Sequence, residues 1–299
     1  MEPTLARTLA ELDEALMPSR LANSPVAHVP TMGALHAGHE SLLRRARSLG
    51  DALVASMFVN PTQFAPGEDL ATYPRDLDAD LELAAAAGVD VVFAPDVDTV
   101  YRDGTQGGVT IDPGPLGSVY EGAARPTHFR GVLTVVTKLF SLVRPTHAVF
   151  GEKDYQQLVL VRRMVKDLHL GVEIVQGATV RDSEGLALSS RNRHLDATQR
   201  VRATCLSRAL RVGARQAAFG ADAARAAAAE VLADAQVEPD YLAIVDPELG
   251  PAPRKGVARM LVAATFGPTR LIDNVGLVLG PGGGPLDTSL PLPTTRPAR

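Results

Sequence analysis

Short apolar runs alternate with longer helical patterns between about residues 24 and 177. Such alternation is typical of a parallel sheet whose strands are joined by covering helices. The apolar runs that we interpret as strands are residues 26–29, 52–59, 89–94, 147–151 and 172–176. We therefore predict an α/β domain over residues 1–179.

The pattern changes from about residue 180 onward. Two Ala- and Arg-rich helical patterns occupy about 196–235, and strand-like runs follow at 241–245, 260–265 and 269–279. This order predicts a smaller α+β domain over residues 180–279. The last twenty residues, 280–299, hold five Pro and four Gly, a composition that buries too little apolar area to offset the entropy of ordering. We predict a flexible tail there.

Polar segments follow three of the predicted strands. They read PTMGALHAGH after the first, NPTQF after the second and GEKDYQQ after the fourth, while RPTHF lies just ahead of a helix near residue 131. Ligands bind beyond the carboxyl ends of the strands in open parallel sheets, so segments in these places converge. We therefore expect a ligand site at this edge of the sheet.

The first polar segment places two histidines, His36 and His39, at the start of a helix predicted near Ala37. Histidines three positions apart project from one face of a helical turn. The free N–H groups of a helix start attract anions, and the neighbouring Gly33 and Gly38 let a phosphate approach the backbone. The pattern favours imidazoles that donate to phosphoryl oxygens. A pair of surface histidines is an equally simple interpretation, whereas a metal site lacks a third ligand at a recognisable spacing.

The second signal is the sequence SSRN at residues 189–192, between a turn that contains Gly185 and a helix that begins near Asp196. Serine hydroxyls and the guanidinium of Arg191 can close over a triphosphate, and a helix-capping loop is the alternative. A strand-to-helix HxGH with a distant basic serine loop resembles the nucleotidyltransferase superfamily, which includes class I aminoacyl-tRNA synthetases. That resemblance implies attack on the α-phosphate of a nucleotide.

Composition narrows the partners and the compartment. A formal net charge of −4 provides no basic surface of the kind that binds nucleic acid. The single cysteine, Cys205, cannot form an internal disulfide, which fits a reducing compartment. The amino terminus is acidic where a secretory signal needs basic and apolar residues, and no apolar run reaches the ~20 residues that span a bilayer. We expect a cytoplasmic protein without nucleic-acid or membrane partners.

Five motifs in one order make the resemblance more specific. The segments PTMGALHAGH, FVNPTQF, EGAARPTHFRGVLTVV, FGEKDYQQL and GLALSSRN resemble the pantothenate synthetase family of pantoate–β-alanine ligases, over about residues 25–275. The resemblance implies a Rossmann-like domain that binds ATP and pantoate, followed by a smaller lid domain. It also implies the condensation of (R)-pantoate with β-alanine to pantothenate, for coenzyme A biosynthesis. The implied route is a pantoyl-adenylate, with release of pyrophosphate and then AMP.

The resemblance assigns a role to each matching position. It implies that the catalytic residues are His36, His39, Lys153 and Arg191. The implied ATP contacts are Met32, Gly33, His36, His39, Gly151, Lys153, Asp154, Val180, Leu188, Ser189, Ser190 and Arg191. The implied pantoate contacts are Gln63, Gln157 and Met32, and the implied β-alanine contacts are Asn60, Gln63 and Tyr73. These types suit the ligands, since amides both donate and accept hydrogen bonds and lysine is a compact positive charge.

The chain departs from the family pattern in three places. Leu188 stands where Met is common, a volume-similar exchange that should be tolerated. Thr127 precedes His128 where Gly is frequent, which leaves the role of His128 open. Ala79 interrupts the acidic run DLDAD, which puts a direct carboxylate contact to magnesium in doubt.

The metal and the oligomeric state are less constrained than the substrates. We expect magnesium to be carried by the ATP phosphates; Asp78 is doubtful as a ligand, and Asp80 is kept as a candidate. The resemblance also implies a homodimer. Two rival functions stay open: a nucleotidyltransferase without the amide-forming step, and a non-catalytic nucleotide-binding protein. Amine-dependent release of AMP distinguishes the first rival, and production of pyrophosphate distinguishes the second.

Overall fold

The computed structural model describes residues 2–65, 67–68 and 70–286. Contacts divide the chain into two compact units. Of the described residues, the first unit comprises those up to Glu152 together with Gln156–Gly177, and the second comprises Lys153–Tyr155 and those from Ala178 onward. The division after Gly177 lies two residues before the domain boundary expected from the sequence.

A parallel sheet forms the centre of the first unit and confirms the predicted α/β class. Its strands in the described residues are β1 (Thr4–Ala6), β2 (Val26–Thr31), β3 (Ala52–Met57), β4 (Val91–Phe93), β5 (His147–Gly151) and β6 (Glu173–Gly177). Their spatial order is β1-β4-β3-β2-β5-β6, and every neighbouring pair is parallel. The chain runs from β2 through β3 to β4 and then crosses to β5 on the other side of β2. The topological switch point therefore lies between β2 and β5, where ligands of such sheets bind.

The predicted strands agree closely with the observed ones. The strand β5 has the predicted bounds, and β2, β3, β4 and β6 differ from the prediction by two residues or fewer at each end. The strand β1 was not predicted, because three residues are too few to display an alternating pattern. It pairs with β4 at the edge of the sheet.

Strands β2 and β3 lie inside the sheet, and helices cover them, so their sequences are apolar on both faces. His28 of β2 and Ser56 of β3 are polar residues that are fully buried in these strands. Nε2 of His28 lies 3.0 Å from Oγ of Ser56, and the His28 ring meets the edge of Phe140. Burial lowers the pKa of His28 to about 3, so the ring is neutral in the folded protein.

Helices follow the strands of the first unit. They are α1 (Leu9–Leu21), α2 (Ala37–Arg47), α3 (Leu77–Ala86), α4 (Val97–Val100), α5 (Gly104–Gly107), α6 (Glu121–Ala124), α7 (His128–Val143) and α8 (Tyr155–Asp167), of which the first residue, Tyr155, belongs to the second unit. Helix α2 begins at the predicted residue, whereas α7 begins three residues before the predicted position. Across the described ranges, every helix is too short or too polar to traverse a lipid bilayer.

The second unit packs helices on an antiparallel sheet, as the α+β prediction requires. Its elements in the described residues are α9 (Ala197–Ala203), α10 (Cys205–Arg215), α11 (Ala221–Asp234), β7 (Pro239–Val245), β8 (Gly256–Phe266), β9 (Thr269–Leu279) and β10 (Gly284–Pro285), with sheet order β10-β9-β8-β7. The first of the two predicted helices is divided at Thr204 into α9 and α10. Cys205 is buried at the start of α10.

The carboxyl-terminal segment begins with a structured portion. Gly284 and Pro285 pair with Val278 and Leu277 of β9, so the sheet extends beyond the tail boundary predicted at residue 280. Backbone pairing supplies hydrogen bonds that the composition of the segment does not reveal. The remainder of the predicted tail, residues 287–299, lies outside the described residues.

Candidate functional site

The HxGH histidines meet at the first turn of α2. His36 is the N-cap residue, and its Nδ1 accepts a hydrogen bond of 3.1 Å from the backbone N–H of Gly38. This bond leaves Nε2 as the donor nitrogen of the neutral ring. The ring of His39 lies 4.1 Å from that of His36, measured between centroids. The structure thus brings both imidazoles to a helix start, where backbone dipoles favour an anion.

The turn ahead of His36 has an uncommon backbone. Gly33 and Ala34 both have positive φ angles, of 76° and 52°. The N–H of Gly33 donates to Oγ1 of Thr31 at 3.1 Å, and that hydroxyl in turn donates to the carbonyl of Ser56 on β3. The turn is therefore tied to the end of the neighbouring strand.

Asp80, the candidate magnesium ligand, holds the same turn. Its Oδ2 accepts from the N–H of Ala34 at 2.9 Å, and its Oδ1 accepts from the N–H of Leu35 at 2.6 Å. Burial raises the pKa of Asp80, and these two hydrogen bonds oppose that rise. No group of three His, Cys, Asp or Glu in the described part of the chain is placed to hold a metal ion. Both carboxylate oxygens of Asp80 thus bind backbone N–H groups, and a direct contact from Asp80 to magnesium stays a prediction.

The NPTQF segment forms a 3-10 turn over Pro61–Gln63. Asn60, which directly precedes the turn, stabilises it through hydrogen bonds. Asn60 is almost fully buried, and its Oδ1 accepts from the hydroxyl of Tyr101 at 2.8 Å and from the hydroxyl of Thr62 at 2.9 Å. Its amide donates at 3.1 Å to Oε1 of Gln63 and to the carbonyl of Gly131. The hydrogen bonds of Asn60 are thus directed at the protein and orient Gln63.

The predicted pantoate contacts Met32 and Gln63 lie against each other. The amide of Gln63 donates to the sulfur of Met32 at 2.9 Å. Tyr73, a predicted β-alanine contact, is buried beside Phe64 in an edge-to-face arrangement at 6.0 Å, in a cluster that Met32 also joins. The structure therefore gathers three sequence-predicted substrate residues around the loop after β2.

Two residues of the RPTHF motif, Arg125 and His128, contact the backbone carbonyl of Gln63. Nδ1 of His128 lies 3.0 Å from the carbonyl oxygen of Gln63, and Arg125 donates to the same oxygen at 3.2 Å. Arg125 also binds Glu68 through two hydrogen bonds, of 2.9 and 2.7 Å. Although burial opposes it, Arg125 holds the pKa of Glu68 below its usual range. Sequence reasoning did not assign Arg125 a role, although the motif that contains it was recognised.

The two glutamines after β5 have different surroundings. Gln156 is buried; its Oε1 accepts from the N–H of Glu121, and its amide donates to the carbonyls of Leu116 and Val119. Gln157, the predicted pantoate contact, is partly exposed in the first turn of α8. Gln156 therefore has a structural role, whereas Gln157 is accessible to a ligand.

A large cavity also borders the NPTQF turn. It has a volume of about 890 Å³ and contacts the turn through Thr62 and Phe64. His36, His39 and Gln63 are absent from the described residues that line it. We therefore base substrate recognition on the hydrogen-bonding groups rather than on the size of this cavity.

In the second unit, Lys153 lies beside the serine loop. Lys153, Ser189 and Asn192 line one small recess. Nζ of Lys153 is 3.5 Å from Oδ1 of Asp154, whose side chain is half exposed. The structure thus brings the predicted phosphate lysine next to the first serine of the predicted triphosphate loop.

A hairpin presents the serine loop. The N–H of Leu188 donates to the carbonyl of Val180 at 2.9 Å, so these two predicted ATP contacts pair across the hairpin. Ser189 then caps a 3-10 helix over Ser190–His194, and its Oγ accepts from the N–H of Arg191 at 3.3 Å. The helix-capping interpretation of SSRN is therefore correct for Ser189, and it leaves Ser190 and Arg191 partly exposed.

Known proteins resemble this chain over most of its length. The family model described as pantoate-beta-alanine ligase matches residues 4–276. The chain is 55% identical over 301 residues to the pantothenate synthetase of a Nocardioides strain, covering 97% of this chain and 90% of that protein. It is 56% identical over 256 residues to the pantothenate synthetase of Nocardia farcinica, covering 85% of this chain and 80% of the relative.

Solved structures are similar over most of the chain. A crystal structure of pantothenate synthetase from Thermus thermophilus is 48% identical, with a TM-score of 0.84, over 91% of this chain and 98% of that one. A pantoate–β-alanine ligase from Francisella tularensis is 33% identical, with a TM-score of 0.76, over 91% of this chain and 97% of that one. The Francisella structure is described as a complex with "Beta-gamma ATP" and β-alanine.

Proposed function

Because this chain belongs to the pantoate–β-alanine ligase family, it catalyses the ATP-dependent condensation of pantoate with β-alanine, and we propose that the reaction proceeds through a pantoyl-adenylate. The product is pantothenate, a precursor for coenzyme A biosynthesis, and the proposed enantiomer of the acid is (R)-pantoate. The observation that carries the adenylate route is the pairing of His36 and His39 at the start of α2.

The two histidines suit a leaving pyrophosphate. The donor nitrogen Nε2 of His36 and the ring of His39 can hydrogen-bond phosphoryl oxygens, while the start of α2 contributes its backbone dipoles. Fixed donors of this kind stabilise negative charge as it develops in the transition state. Met32 and Gly33, in the loop just before them, are the proposed contacts of the bound intermediate.

A second set of residues supplies the remaining ATP contacts in this proposal. Lys153, Ser189, Ser190 and Arg191 neutralise and bind the triphosphate, since they combine two cations with hydroxyl donors. Asp154 accepts hydrogen bonds from the ribose hydroxyls, for which its half-exposed carboxylate is suited. We propose further ATP contacts through the backbone or apolar atoms of Gly151, Val180 and Leu188.

Pantoate recognition is assigned to Met32, Gln63 and Gln157. The backbone carbonyl of Gln63 is fixed by Arg125 and its side chain by Asn60, so its amide is held in a defined orientation. For β-alanine we propose Tyr73 and Gln63, with Asn60 acting by orienting Gln63. The complex of the Francisella relative with β-alanine supports an amine site in this family.

The proposed chemistry has two displacements. A pantoate carboxylate oxygen attacks the α-phosphorus of ATP, the bond from that phosphorus to the bridging oxygen breaks, and pyrophosphate leaves. β-Alanine, after losing its ammonium proton, attacks the acyl carbon, and the carbon–oxygen bond to AMP breaks. Both steps need positioning and charge neutralisation but no covalent enzyme nucleophile. We propose that magnesium arrives on the ATP phosphates, while both carboxylate oxygens of Asp80 bind backbone N–H groups.

Two measurements test the route. Pyrophosphate should be released from ATP with pantoate alone, and AMP should follow when β-alanine is added. Pantoate labelled with oxygen-18 in its carboxylate should transfer one labelled oxygen to AMP. Label in phosphate or pyrophosphate instead would exclude the adenylate. AMP that is transferred to another acceptor without amide formation would favour the nucleotidyltransferase alternative.

Assembly and location are further parts of the proposal. We propose a homodimer and a cytoplasmic location, both on the strength of the family resemblance. Sedimentation equilibrium tests the first, with twice the chain mass of 31.5 kDa as the expected result. Fractionation of the source cells tests the second, with activity expected in the cytosolic fraction.

A further inference from the structure

We propose that Asp80 is a positioning residue for the first half-reaction: it fixes the Gly33–Leu35 turn and so aims His36 at the phosphates. The inference rests on the proposed function of His36. Asp80 lies in the first turn of α3, 45 and 46 positions along the chain from the two residues whose N–H groups it accepts. It therefore joins a distant helix to the loop that precedes the histidines.

The turn needs such a partner because of its backbone. Two successive residues, Gly33 and Ala34, have left-handed φ angles, a conformation that a non-glycine residue adopts only when its surroundings favour it. Successive N–H groups in such a turn point toward one place and form a site for an anion. Asp80 supplies that anion from within the chain, with one carboxylate oxygen for each N–H.

The fit between Asp80 and the turn is close. A Cβ atom added to Gly33 would lie 2.9 Å from Oδ2 of Asp80. An asparagine at position 80 has nearly the same shape as aspartate but only one acceptor oxygen, so its NH₂ group would face one of the two backbone N–H donors. The substitution therefore disturbs the turn electrostatically while it preserves the volume of the side chain.

The contact between Asp80 and Leu35 affects the position of His36 through a single peptide bond. Leu35 directly precedes His36, so a shift of the Leu35 N–H moves the N-cap residue of α2. A misplacement of about 1 Å in a catalytic group can lower a rate about 100-fold. The amine-transfer step does not depend on the pyrophosphate contacts, and it should be less affected.

The experiment compares Asp80→Asn with Glu82→Gln, a variant on the same helix that removes an equal charge from an exposed side chain. Pyrophosphate release from ATP and pantoate measures the first half-reaction. Purified pantoyl-adenylate with β-alanine measures the second. Rates are expressed per folded molecule, with folding followed by circular dichroism and thermal melting.

Asp80→Asn should lower the first half-reaction about 10- to 100-fold, with the second half-reaction changed less than about threefold. Glu82→Gln should match the wild type in both. If Asp80→Asn is recovered unfolded, Asp80→Glu keeps the charge and both acceptor oxygens but displaces them by one methylene, and it should give the same selective loss. Equal losses in both half-reactions, or none in either variant, would overturn the inference. Failure of the wild type to release pyrophosphate with pantoate would instead refute the proposed function.

Discussion

The side-chain amide of Asn274 donates a hydrogen bond of 2.9 Å to the backbone carbonyl of Lys153. The same amide accepts from Nε of Arg259 at 2.7 Å, and the guanidinium of Arg259 lies 4.1 Å from the ring centre of Tyr155. Strand β9 thus fixes the segment that carries the proposed phosphate lysine. Arg259 is buried, and its hydrogen bond to Asn274 and its contact with the Tyr155 ring stabilise the guanidinium there.

Replacement of Asn274 by Ala should therefore impair the proposed phosphate binding by Lys153, although Lys153 itself is unchanged. We expect the melting temperature to fall, since a buried hydrogen-bonding partner is lost at roughly 1–3 kcal/mol. Pyrophosphate release per folded molecule should fall about tenfold, because the backbone of Lys153 loses its anchor. Asp240→Asn, which removes the charge of the acceptor in a partly exposed pair with Arg270 in the same sheet, is the control and should change neither quantity much. Pyrophosphate release at the wild-type rate in Asn274→Ala would contradict the anchoring role.

Two substitutions at His36 should separate its capping role from its proposed phosphate role. His36→Asn keeps a side-chain acceptor for the N–H of Gly38, whereas His36→Ala removes it and should destabilise the protein by about 1 kcal/mol. Both should slow pyrophosphate release about 100-fold, because the Nε2 donor is gone in each. Unfolding in denaturant and single-turnover assays measure the two effects. An active His36→Asn enzyme would show that capping is the whole role of His36.

Gly131 is required for the approach of α7 to the NPTQF turn. A Cβ atom at this position would lie 2.3 Å from the carbonyl oxygen of Thr62, and the carbonyl of Gly131 accepts from Asn60. Gly131→Ala should destabilise by roughly 1–3 kcal/mol through overpacking, although alanine favours helices. It should also raise the KM for pantoate. Gly108→Ala, which adds a Cβ with no heavy atom within 4 Å, is the control; equal melting temperatures for the two variants would argue against the close contact.

The hairpin that carries the serine loop depends on an ion pair between Arg181 and Asp273. The guanidinium makes two hydrogen bonds to the carboxylate, at 2.5 and 2.9 Å, and the side chain of Asp273 is only 3% exposed. Asp273→Ala should lower the free energy of unfolding by roughly 2–4 kcal/mol, because it leaves a partly buried guanidinium without its partner. Asp222→Ala removes an exposed partner of Arg225 and should have little effect. Similar denaturation midpoints for both variants would count against the structural importance of the buried pair.

Stability should fall as the solution is acidified through the range in which His28 titrates. The folded pKa of His28 is about 3, below the unfolded value near 6.5, so the unfolded chain binds the extra proton first. The contribution of neutral His28 is fully present above pH 6.5 and decreases as the pH falls toward 3. The slope from this group approaches about 1.4 kcal/mol per pH unit. Denaturation of the wild type and of His28→Leu between pH 4 and 7 measures it, and parallel profiles would disprove the assignment.

The local pattern was enough for the sheet and for most of its strands. Apolar runs at 52–57 and 147–151 could be recognised because strands buried on both faces contain little else. The strand β1 and the pairing of Gly284 were missed, since a strand of two or three residues carries no period. Their hydrogen bonds depend on partners far away in the chain.

Part of the candidate site could also be predicted from the sequence. HxGH placed two imidazoles on one helical turn because the spacing of helical positions is a local property. The backbone contacts of Asp80 were not predicted, since nothing in DLDAD indicates that its carboxylate meets the N–H groups of Ala34 and Leu35. Arg125 was overlooked for the same reason: its bond to the carbonyl of Gln63 joins residues that are 62 positions apart.

By itself the sequence determined the chemistry available to this protein: the order of its longer strands and helices, the family of its motifs and the types of side chain that follow the strands. The tertiary structure decided which of those side chains hold the protein together and which are left for ligands. It showed that Asn60 and Asp80 are committed to backbone and side-chain partners, whereas Gln157 remains accessible. The physical reason is that a polar group forms its hydrogen bonds with the partners that the fold brings within about 3 Å. No local sequence pattern specifies those partners.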